Sequence, residues 1–206
     1  MGQGTGIVRG RKFEQVREGA AVIFLRDGFA AASVDDIARS ARVSKATLYS
    51  YFPDKRLMFQ EVLANALDMA FDQPPFDAAS KDDVGTALPK VLDQLARWLI
   101  SDHRLRLHRI AIAEAPRFPE LAVAYARAME DGIVVPLTRL VQDWATRNEI
   151  TVQDPALAAR QLVALMGGQL RINALLSHEM LADSEIAEAV TSACALFLRA
   201  HAPRQV

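Results

Sequence analysis

The sequence has little of what several classes of protein need. Its 206 residues include one cysteine, Cys194, so an intrachain disulfide is excluded and a reducing, cytoplasmic location is expected. The longest apolar runs are of the size of Ala20–Leu25, far short of the roughly 20 residues that a membrane helix requires. Because the N-terminal residues contain no apolar segment, we expect neither a secretion signal nor a membrane partner.

Glycine and aromatic residues are also scarce. The chain has 10 glycines and 7% aromatic residues, whereas 51% of its residues are hydrophobic, much of that alanine and leucine. This composition favours helix, and no alternating run of valine, isoleucine and threonine indicates a strand. We predict an all-α fold of about nine helices.

The patterns of the common catalytic and metal sites are missing. His103 and His108 are five residues apart and so lie on different helix faces, and there is neither a cysteine pair nor a His-Glu-x-x-His sequence. The sequence has no Gly-x-Ser-x-Gly elbow, and its glycine-rich start follows no strand. We therefore expect no enzyme activity, no metal and no cofactor.

Charge is distributed unevenly along the chain. The net charge is −1, but residues 1–57 carry ten basic and six acidic residues, a net of +4, and the remainder carries −5. A basic N-terminal segment on an acidic body is typical of proteins that bind nucleic acid. Residues 1–9 are either an arm that contacts DNA or simply disordered.

The segment from Ser33 to Lys55 has the pattern of a helix-turn-helix. Ser33 is a suitable N-cap, with Asp36 as its capping-box partner, and apolar residues follow at helical spacing. Arg42 and Val43 form the turn, and Ser44 begins a second short helix. On that helix Leu48 and Phe52 are four residues apart, so they share one buried face.

The remaining residues of the second helix point outward, where they can contact phosphates and base edges. Lys55, at the start of the next helix, adds a cation. Tyr51 either reaches the DNA backbone or is half-buried. The residues predicted to contact DNA are Ser33, Arg42, Ser44, Lys45, Ala46, Thr47, Tyr49, Ser50, Tyr51 and Lys55.

These residues resemble the DNA-binding domain of the TetR family of bacterial transcriptional regulators. The likeness extends from about residue 11 to about residue 63 and depends on Phe24, Gly28-Phe29, Ser33, Ile37-Ala38, Ala41, Val43-Ser44, Thr47, Leu48-Tyr49, Tyr51-Phe52 and Lys55. Arg42 stands where the family usually has glycine. The resemblance implies a DNA-binding domain over residues 1–56 and a ligand-binding and dimerisation domain over residues 57–206. It also implies a homodimeric repressor that a small molecule releases from a palindromic operator in double-stranded DNA.

The C-terminal part resembles the AefR-like branch of that family over residues 112–121, 154–161 and 165–168. The resemblance implies that the last two helices form a four-helix dimer interface, and their surplus of apolar residues agrees with it. The alternative is that both helices pack within one subunit. The predicted interface residues are Leu162, Met166, Gly167, Leu170, Ala193 and Phe197.

The ligand pocket is predicted only from large or polar side chains on the middle helices. These residues are Trp98, His108, Arg109, Tyr125, Trp144, Arg171 and Asn173. An inward-pointing arginine would indicate an anionic ligand, since a buried cation needs a partner. The rival interpretation is a helical small-molecule carrier or enzyme whose helix-turn-helix no longer functions.

Proline, glycine and capping residues predict where the helices begin and end. The first runs to Asp27, with Gly28 as its stop, and the fourth runs from Lys55 to Phe71. The later helices are expected at 82–100, interrupted or restarted at Pro89, and at 103–113, 120–147 with a kink at Pro136, 155–178 and 183–200.

Overall fold

The chain is helical in the computed structural model, which describes residues 10–177 and 181–203. These ranges contain eleven α-helices, one π-helical turn and no strand, which confirms the all-α prediction. The predicted arm at residues 1–9 and the predicted helix end at residue 178 lie outside the described residues. The helices are α1 Arg11–Ala31, α2 Val34–Ser40, α3 Lys45–Tyr51, α4 Lys55–Ala70, α5 Val84–Leu99, α6 Asp102–Glu114, α7 Pro119–Met129, α8 Val135–Thr146, α9 Pro155–Gly167, α10 Gln169–Leu176 and α11 Asp183–Ala200.

Two of the predicted helices are each divided into two. The segment 120–147 forms α7, a π-helical turn at Glu130–Val134, and α8. Pro136 has no N–H for the carbonyl four residues back, and just before it the N–H of Val135 bonds to the carbonyl of Glu130, five residues back. The segment 155–178 is interrupted at Gly168, which ends α9 and begins α10.

The interruption expected at Pro89 does not occur, because α5 runs through it from Val84 to Leu99. The proline removes one backbone hydrogen bond, but the residues on either side of it are firmly packed. Leu88 and Leu92 are fully buried, and Asp83 caps the helix by accepting from the N–H of Thr86 at 3.0 Å. Burial of this apolar face therefore outweighs the helix-breaking tendency of the proline.

Helix α1 carries the apolar face that its sequence predicts. Phe13, Val16, Ala20, Ile23 and Phe24 are all buried. At Gly28 the backbone leaves the helical region, with φ 73° and ψ −176°. This conformation suits glycine, and Gly28 interrupts the helix where the sequence predicts a stop.

The chain divides into two compact units. Residues 1–69 and 106–125 belong to the first unit, and residues 70–105 and 126–206 to the second. Helices α4, α6 and α7 each contain one of these boundaries. This structural division differs from the functional division predicted at residue 56, which remains a prediction.

An aromatic cluster holds the first unit together. The ring of Phe118 lies 4.9 Å from the rings of both Phe29 and Phe59, and Phe24 packs 5.0 Å from Phe59. The cluster joins α1 and α4 to the 106–125 segment, since Phe118 belongs to that segment. In the second unit α9 packs against α5, α8, α10 and α11, and Trp144 is fully buried in the shared core.

Gly19 lies where α1 closely approaches the end of α2. A methyl group added at Gly19 would lie 2.4 Å from the Cα of Ala41. Beside it, the side-chain amide of Gln15 donates to the carbonyl of Ala41 at 2.7 Å. Glycine inside a helix costs about 1 kcal/mol relative to alanine, and this contact explains why glycine is present.

We predict that Gly19→Ala destabilises the protein, although alanine is the better helix former. The added methyl group would have to displace backbone atoms, and such overpacking costs about 1–3 kcal/mol. Urea unfolding followed by circular dichroism measures the change. Gly10→Ala is the control, because a methyl group there meets nothing within 4 Å. An unchanged or higher stability for Gly19→Ala would contradict the close contact.

Candidate nucleic-acid interface

Helix α2 begins with the cap that the sequence predicts, but the partner of that cap differs. The hydroxyl of Ser33 accepts from the N–H of Asp35 at 3.2 Å. Asp36, the predicted capping-box partner, instead accepts from Arg39 at 2.5 Å. Because Arg39 lies one turn away on α2, the ion pair spans the exposed side of this helix.

The turn between α2 and α3 depends on Arg42. Its φ is +53°, a left-handed conformation that costs a non-glycine residue on the order of 1 kcal/mol. Two backbone bonds close the end of α2: Arg42 N–H to the Arg39 carbonyl at 3.1 Å and Val43 N–H to the Ala38 carbonyl at 3.0 Å. The arginine therefore adopts the conformation that glycine would have, and its side chain is exposed.

Hydroxyl groups fix the first turns of α3. Ser44 accepts from the N–H of Thr47 at 3.1 Å, and the two hydroxyl oxygens lie 2.9 Å apart. Ser50 donates to the carbonyl of Thr47 at 2.6 Å. The N-cap predicted at Ser44 is confirmed, and these bonds leave the hydroxyls at the helix surface.

One face of α3 is buried and the other is open. Leu48 and Phe52 are 0% and 2% exposed, and the ring of Phe52 lies 5.2 Å from that of Phe13 on α1. The residues of α3 that are exposed are Lys45, Ala46, Tyr49 and Ser50. Tyr51 is half-buried, with its ring 6.1 Å from the ring of Phe13. The predicted contact residues of α3 therefore lie mostly on one exposed face of the helix.

Lys45, one of the three cations among the predicted contact residues, has a partner within the protein. The ammonium of Lys45 lies 2.6 Å from a carboxylate oxygen of Asp35, and the hydrogen bond to that carboxylate raises the pKa of Lys45. A DNA phosphate would have to replace Asp35 there.

Lys55 has a different environment, in which no carboxylate of the described residues forms an ion pair with it. Its ammonium lies 3.4 Å from the carbonyl of Ala30 and 4.8 Å from the centre of the Phe29 ring. Burial lowers the pKa of Lys55, and the nearby charge of Arg117 lowers it further. A phosphate at this position would give Lys55 a direct anionic partner, whereas the charge of Glu114 attracts it only weakly.

Two residues that position this surface are missing from the sequence prediction. Gln15 and Gly19 lie on α1 and hold the end of α2 from outside the Ser33–Lys55 segment. The signal for Gly19 is a glycine in the middle of a strongly helical segment, which indicates a close approach. Gln15 gives no comparable signal, because a polar residue on α1 looks like an ordinary surface residue.

The residues predicted to line the ligand pocket are distributed over both units. His108, Arg109 and Tyr125 lie in the first unit, where His108 Nδ1 is 2.9 Å from the hydroxyl of Tyr125. Arg109 is exposed and lines an open groove.

The other four predicted pocket residues lie in the second unit. The ring of Trp98 packs 5.2 Å from that of Phe71. The guanidinium of Arg104 lies 4.5 Å from the centre of the Trp98 ring. Asn173 accepts from Gln169 at 2.7 Å, and Arg171 lies beside Gly167. Trp144 is a core residue of the apolar cluster in this unit.

The predicted dimer-interface residues are mostly buried inside the second unit. Exposure is 0–5% for Leu162, Met166, Leu170, Ala193 and Phe197. They face the core of their own subunit because α9 packs against α5 and α11. Gly167 is half-buried, and a methyl group there would meet the guanidinium of Arg171 at 3.1 Å, so a larger residue would require that side chain to shift.

Neither a metal-ion cluster nor a membrane-spanning helix occurs among the described residues. Within residues 10–177 and 181–203, no three His, Cys, Asp or Glu side chains are grouped so as to hold a metal ion. None of the helices in these ranges is both long enough and apolar enough to cross a bilayer.

The short helix α3, held on α1 by two buried residues and open on its other face, defines a helix-turn-helix protein with an additional helical body. Residues 16–62 match the bacterial regulatory proteins of the tetR family. Residues 86–203 match the C-terminal domain of AefR-like transcriptional repressors. The chain belongs to the TetR family of transcriptional regulators, in agreement with its sequence resemblance.

Individual relatives agree with this assignment. The HTH-type transcriptional repressor SCO4008 of Streptomyces coelicolor is 31% identical over 128 residues, which cover 57% of this chain and 62% of that protein. The chain therefore matches less than two thirds of the length of this curated relative. The flavonoid-responsive regulator FrrA is 29% identical in sequence. Its structure matches this one with a TM-score of 0.74, covering 95% of this chain and all of that one. A TetR family regulator from Pseudomonas syringae shares the fold, with 24% identity and a TM-score of 0.71 over 94% of this chain and 98% of that one.

We predict that Lys55→Ala weakens binding to every DNA duplex tested. If Lys55 contacts a phosphate, its loss should reduce the slope of log affinity against log salt by about 1 for each subunit. Fluorescence anisotropy at several salt concentrations measures the slope. Lys90→Ala is the control, since Lys90 is an exposed lysine of the second unit. An unchanged slope for Lys55→Ala would exclude this phosphate contact.

Proposed function

We propose that this protein is a transcriptional repressor that binds a palindromic operator as a homodimer and releases it when a small molecule binds. The observation that carries the proposal is the open face of α3, with Lys45, Ala46, Tyr49 and Ser50 exposed. Ammonium, hydroxyl and phenol groups suit phosphates and base edges. The family of the chain and the repressor relative support the same function. Such a protein acts on the chromosome and hence in the cytoplasm.

Dimerisation would use the outer side of the last helices. Leu157, Gln161, Ala164 and Leu165 are exposed on α9, and their spacing places them on one face of the helix. On α11, Leu196 is 49% exposed. The apolar residues Leu157, Ala164, Leu165 and Leu196 lie opposite the buried residues of the same helices, so they form the proposed interface. Two recognition helices about 34–36 Å apart would then read a palindrome.

The proposed effector is a small molecule whose identity is open. FrrA is described as flavonoid-responsive, and a comparable aromatic ligand would suit Trp98 and Phe71, whose rings pack together in the second unit. An effector that binds more tightly to the state that cannot bind DNA lowers operator affinity by that difference. Of the predicted pocket residues, Trp98, Arg171 and Asn173 belong to the same unit and lie outside its fully buried core, so they remain candidates for this site.

The rival proposal is a helical carrier or enzyme whose helix-turn-helix does not bind DNA. The two proposals differ in the salt dependence of DNA binding, because phosphate contacts release counterions. The pairing of Lys45 with Asp35 does not favour the rival, because an exposed ion pair contributes little and can be exchanged for a phosphate.

Selection of bound fragments from the genome of the source organism tests the proposed function. We predict that purified protein at moderate salt enriches a palindromic sequence, and that a Tyr49→Ala/Lys55→Ala variant does not. The variant serves as the matched control, because neither side chain belongs to the buried core. A folded dimer that enriches nothing, with or without candidate ligands, would contradict the proposal.

We predict that Leu165→Glu combined with Leu196→Glu converts the dimer into a monomer. Both leucines are partly exposed in the subunit, at 40% and 49%, so the charges should leave the subunit folded but remain unpaired in the interface. Sedimentation equilibrium gives the mass. Leu57→Glu, at 48% exposure on α4, is the control and should stay dimeric. A double variant that remains dimeric would exclude this face.

A further inference from the structure

The last turn of α1 is held by a side chain from α6, and the contact lies wholly within the first unit. At Gly28 the backbone leaves the helical region, with φ 73° and ψ −176°. The N–H of the next residue, Phe29, donates to Oε1 of Glu114 at 3.1 Å. The same oxygen would lie 3.5 Å from a methyl group added at Gly28. Glu114 is therefore positioned directly at the break in α1, where a half-buried N–H needs an acceptor.

The carboxylate of Glu114 is held in place by its own surroundings. Its side chain is only 14% exposed, and its Oε2 lies 3.6 Å from the guanidinium of Arg117. Its backbone carbonyl accepts from the N–H of Phe118 at 2.8 Å, and Phe118 is fully buried. An acid at the C-terminal end of a helix is disfavoured by the helix dipole. The contacts with Phe29 and Arg117 compensate for that cost.

The turn that Glu114 holds is the turn on which the ammonium of Lys55 lies. The Nζ atom of Lys55 is 3.4 Å from the carbonyl oxygen of Ala30 and 4.8 Å from the centre of the Phe29 ring. Phe29 and Ala30 directly follow the break at Gly28. Because a lysine side chain is flexible, the groups that its ammonium contacts determine where its charge is located. The position of that charge therefore depends on Phe29 and Ala30, and the position of these residues depends on Glu114.

Charge alone would give Glu114 the opposite effect on DNA binding. Its carboxylate is an anion close to Lys55 and Arg117, and it repels phosphates. Removal of an acid from a DNA-binding unit ordinarily strengthens binding, because phosphate contacts are electrostatic. If the hydrogen bond to Phe29 is what matters, its loss should weaken binding instead. The two effects have opposite signs and can be separated by experiment.

We propose that Glu114 is a positioning residue for DNA binding. Its hydrogen bond to the N–H of Phe29 fixes the last turn of α1, and this turn holds the ammonium of Lys55 where it meets a phosphate. Glu114 itself lies outside the helix-turn-helix and does not touch DNA. The inference rests on the DNA-binding function proposed above and on the Lys55 contact within it.

Two conservative variants separate the hydrogen bond from the charge. Glu114→Gln removes the charge but keeps an oxygen that can accept from Phe29, whereas Glu114→Asp keeps the charge on a side chain one methylene shorter. Fluorescence anisotropy with a labelled duplex of random sequence, at several salt concentrations, gives the affinity and its salt slope. We expect Glu114→Gln to bind as tightly as the wild type or slightly more tightly. Glu114→Asp should bind about fivefold more weakly, with a slope reduced by about 1 for each subunit.

A double variant and a control show whether the effect acts through Lys55. Lys55→Ala/Glu114→Asp should bind no more weakly than Lys55→Ala, because both changes remove the same contact. Glu18→Ala removes an exposed acid from α1 and should bind at least as tightly as the wild type. Circular dichroism confirms that each variant is folded.

The possible failures of this inference and of the proposed function differ. Weak binding by Glu114→Gln, wild-type binding by Glu114→Asp, or additive losses in the double variant would overturn the role of Glu114. An unchanged slope in Lys55→Ala would remove the phosphate contact and this inference with it. A wild-type protein that binds no duplex would instead refute the proposed function itself.

Discussion

The docking of α3 on α1 is the constraint on which the interface depends. A helix of seven residues is far too short to be stable alone in water, and α3 must leave most of its surface open to DNA. Its stability therefore comes from Leu48 and the capping residue Phe52, which pack beneath it. Those two residues need α1 and α2 fixed at close distance, and Gly19 and Gln15 on α1 provide that through Ala41. The polar face of α3 can remain exposed because its small apolar face, Leu48 and Phe52, is tightly packed.

Most features of α1 and of the helix-turn-helix could be predicted from the sequence, because the signals for them are local. N-caps at Ser33 and Ser44, the buried stripe of α1 and the break at Gly28 each depend on a few neighbouring residues, and all are present. Contacts between distant residues are harder to predict. Asp35 lies ten residues before Lys45, and Glu114 lies far from Phe29, so periodicity does not show that these residues meet.

The C-terminal helices show a different limit of sequence reasoning. Apolar residues on α9 and α11 are abundant, but composition does not say which of them face the core of the subunit. The structure buries Leu162, Met166 and Phe197 and leaves Leu165 and Leu196 open. Both faces carry apolar residues, one packed inside the subunit and the other exposed, so a hydrophobic pattern identifies the helices but not their orientation. Prolines are similarly ambiguous: Pro89 lies within a continuous helix, whereas a π-helical turn precedes Pro136.

Phe29 connects two parts of the first unit that the sequence separates widely. Its N–H is bound by Glu114, its ring packs on Phe118, and the ammonium of Lys55 lies over that ring. The position of Lys55 is therefore determined partly by residues 106–125, although these follow it by at least fifty positions in the chain. Arg117 also lies 5.2 Å from the centre of the Phe29 ring, and its charge lowers the pKa of Lys55. A shift of Phe29 would change both the position of Lys55 and its distance from Arg117. A candidate phosphate contact thus depends on a segment outside the helix-turn-helix, through packing and charge together.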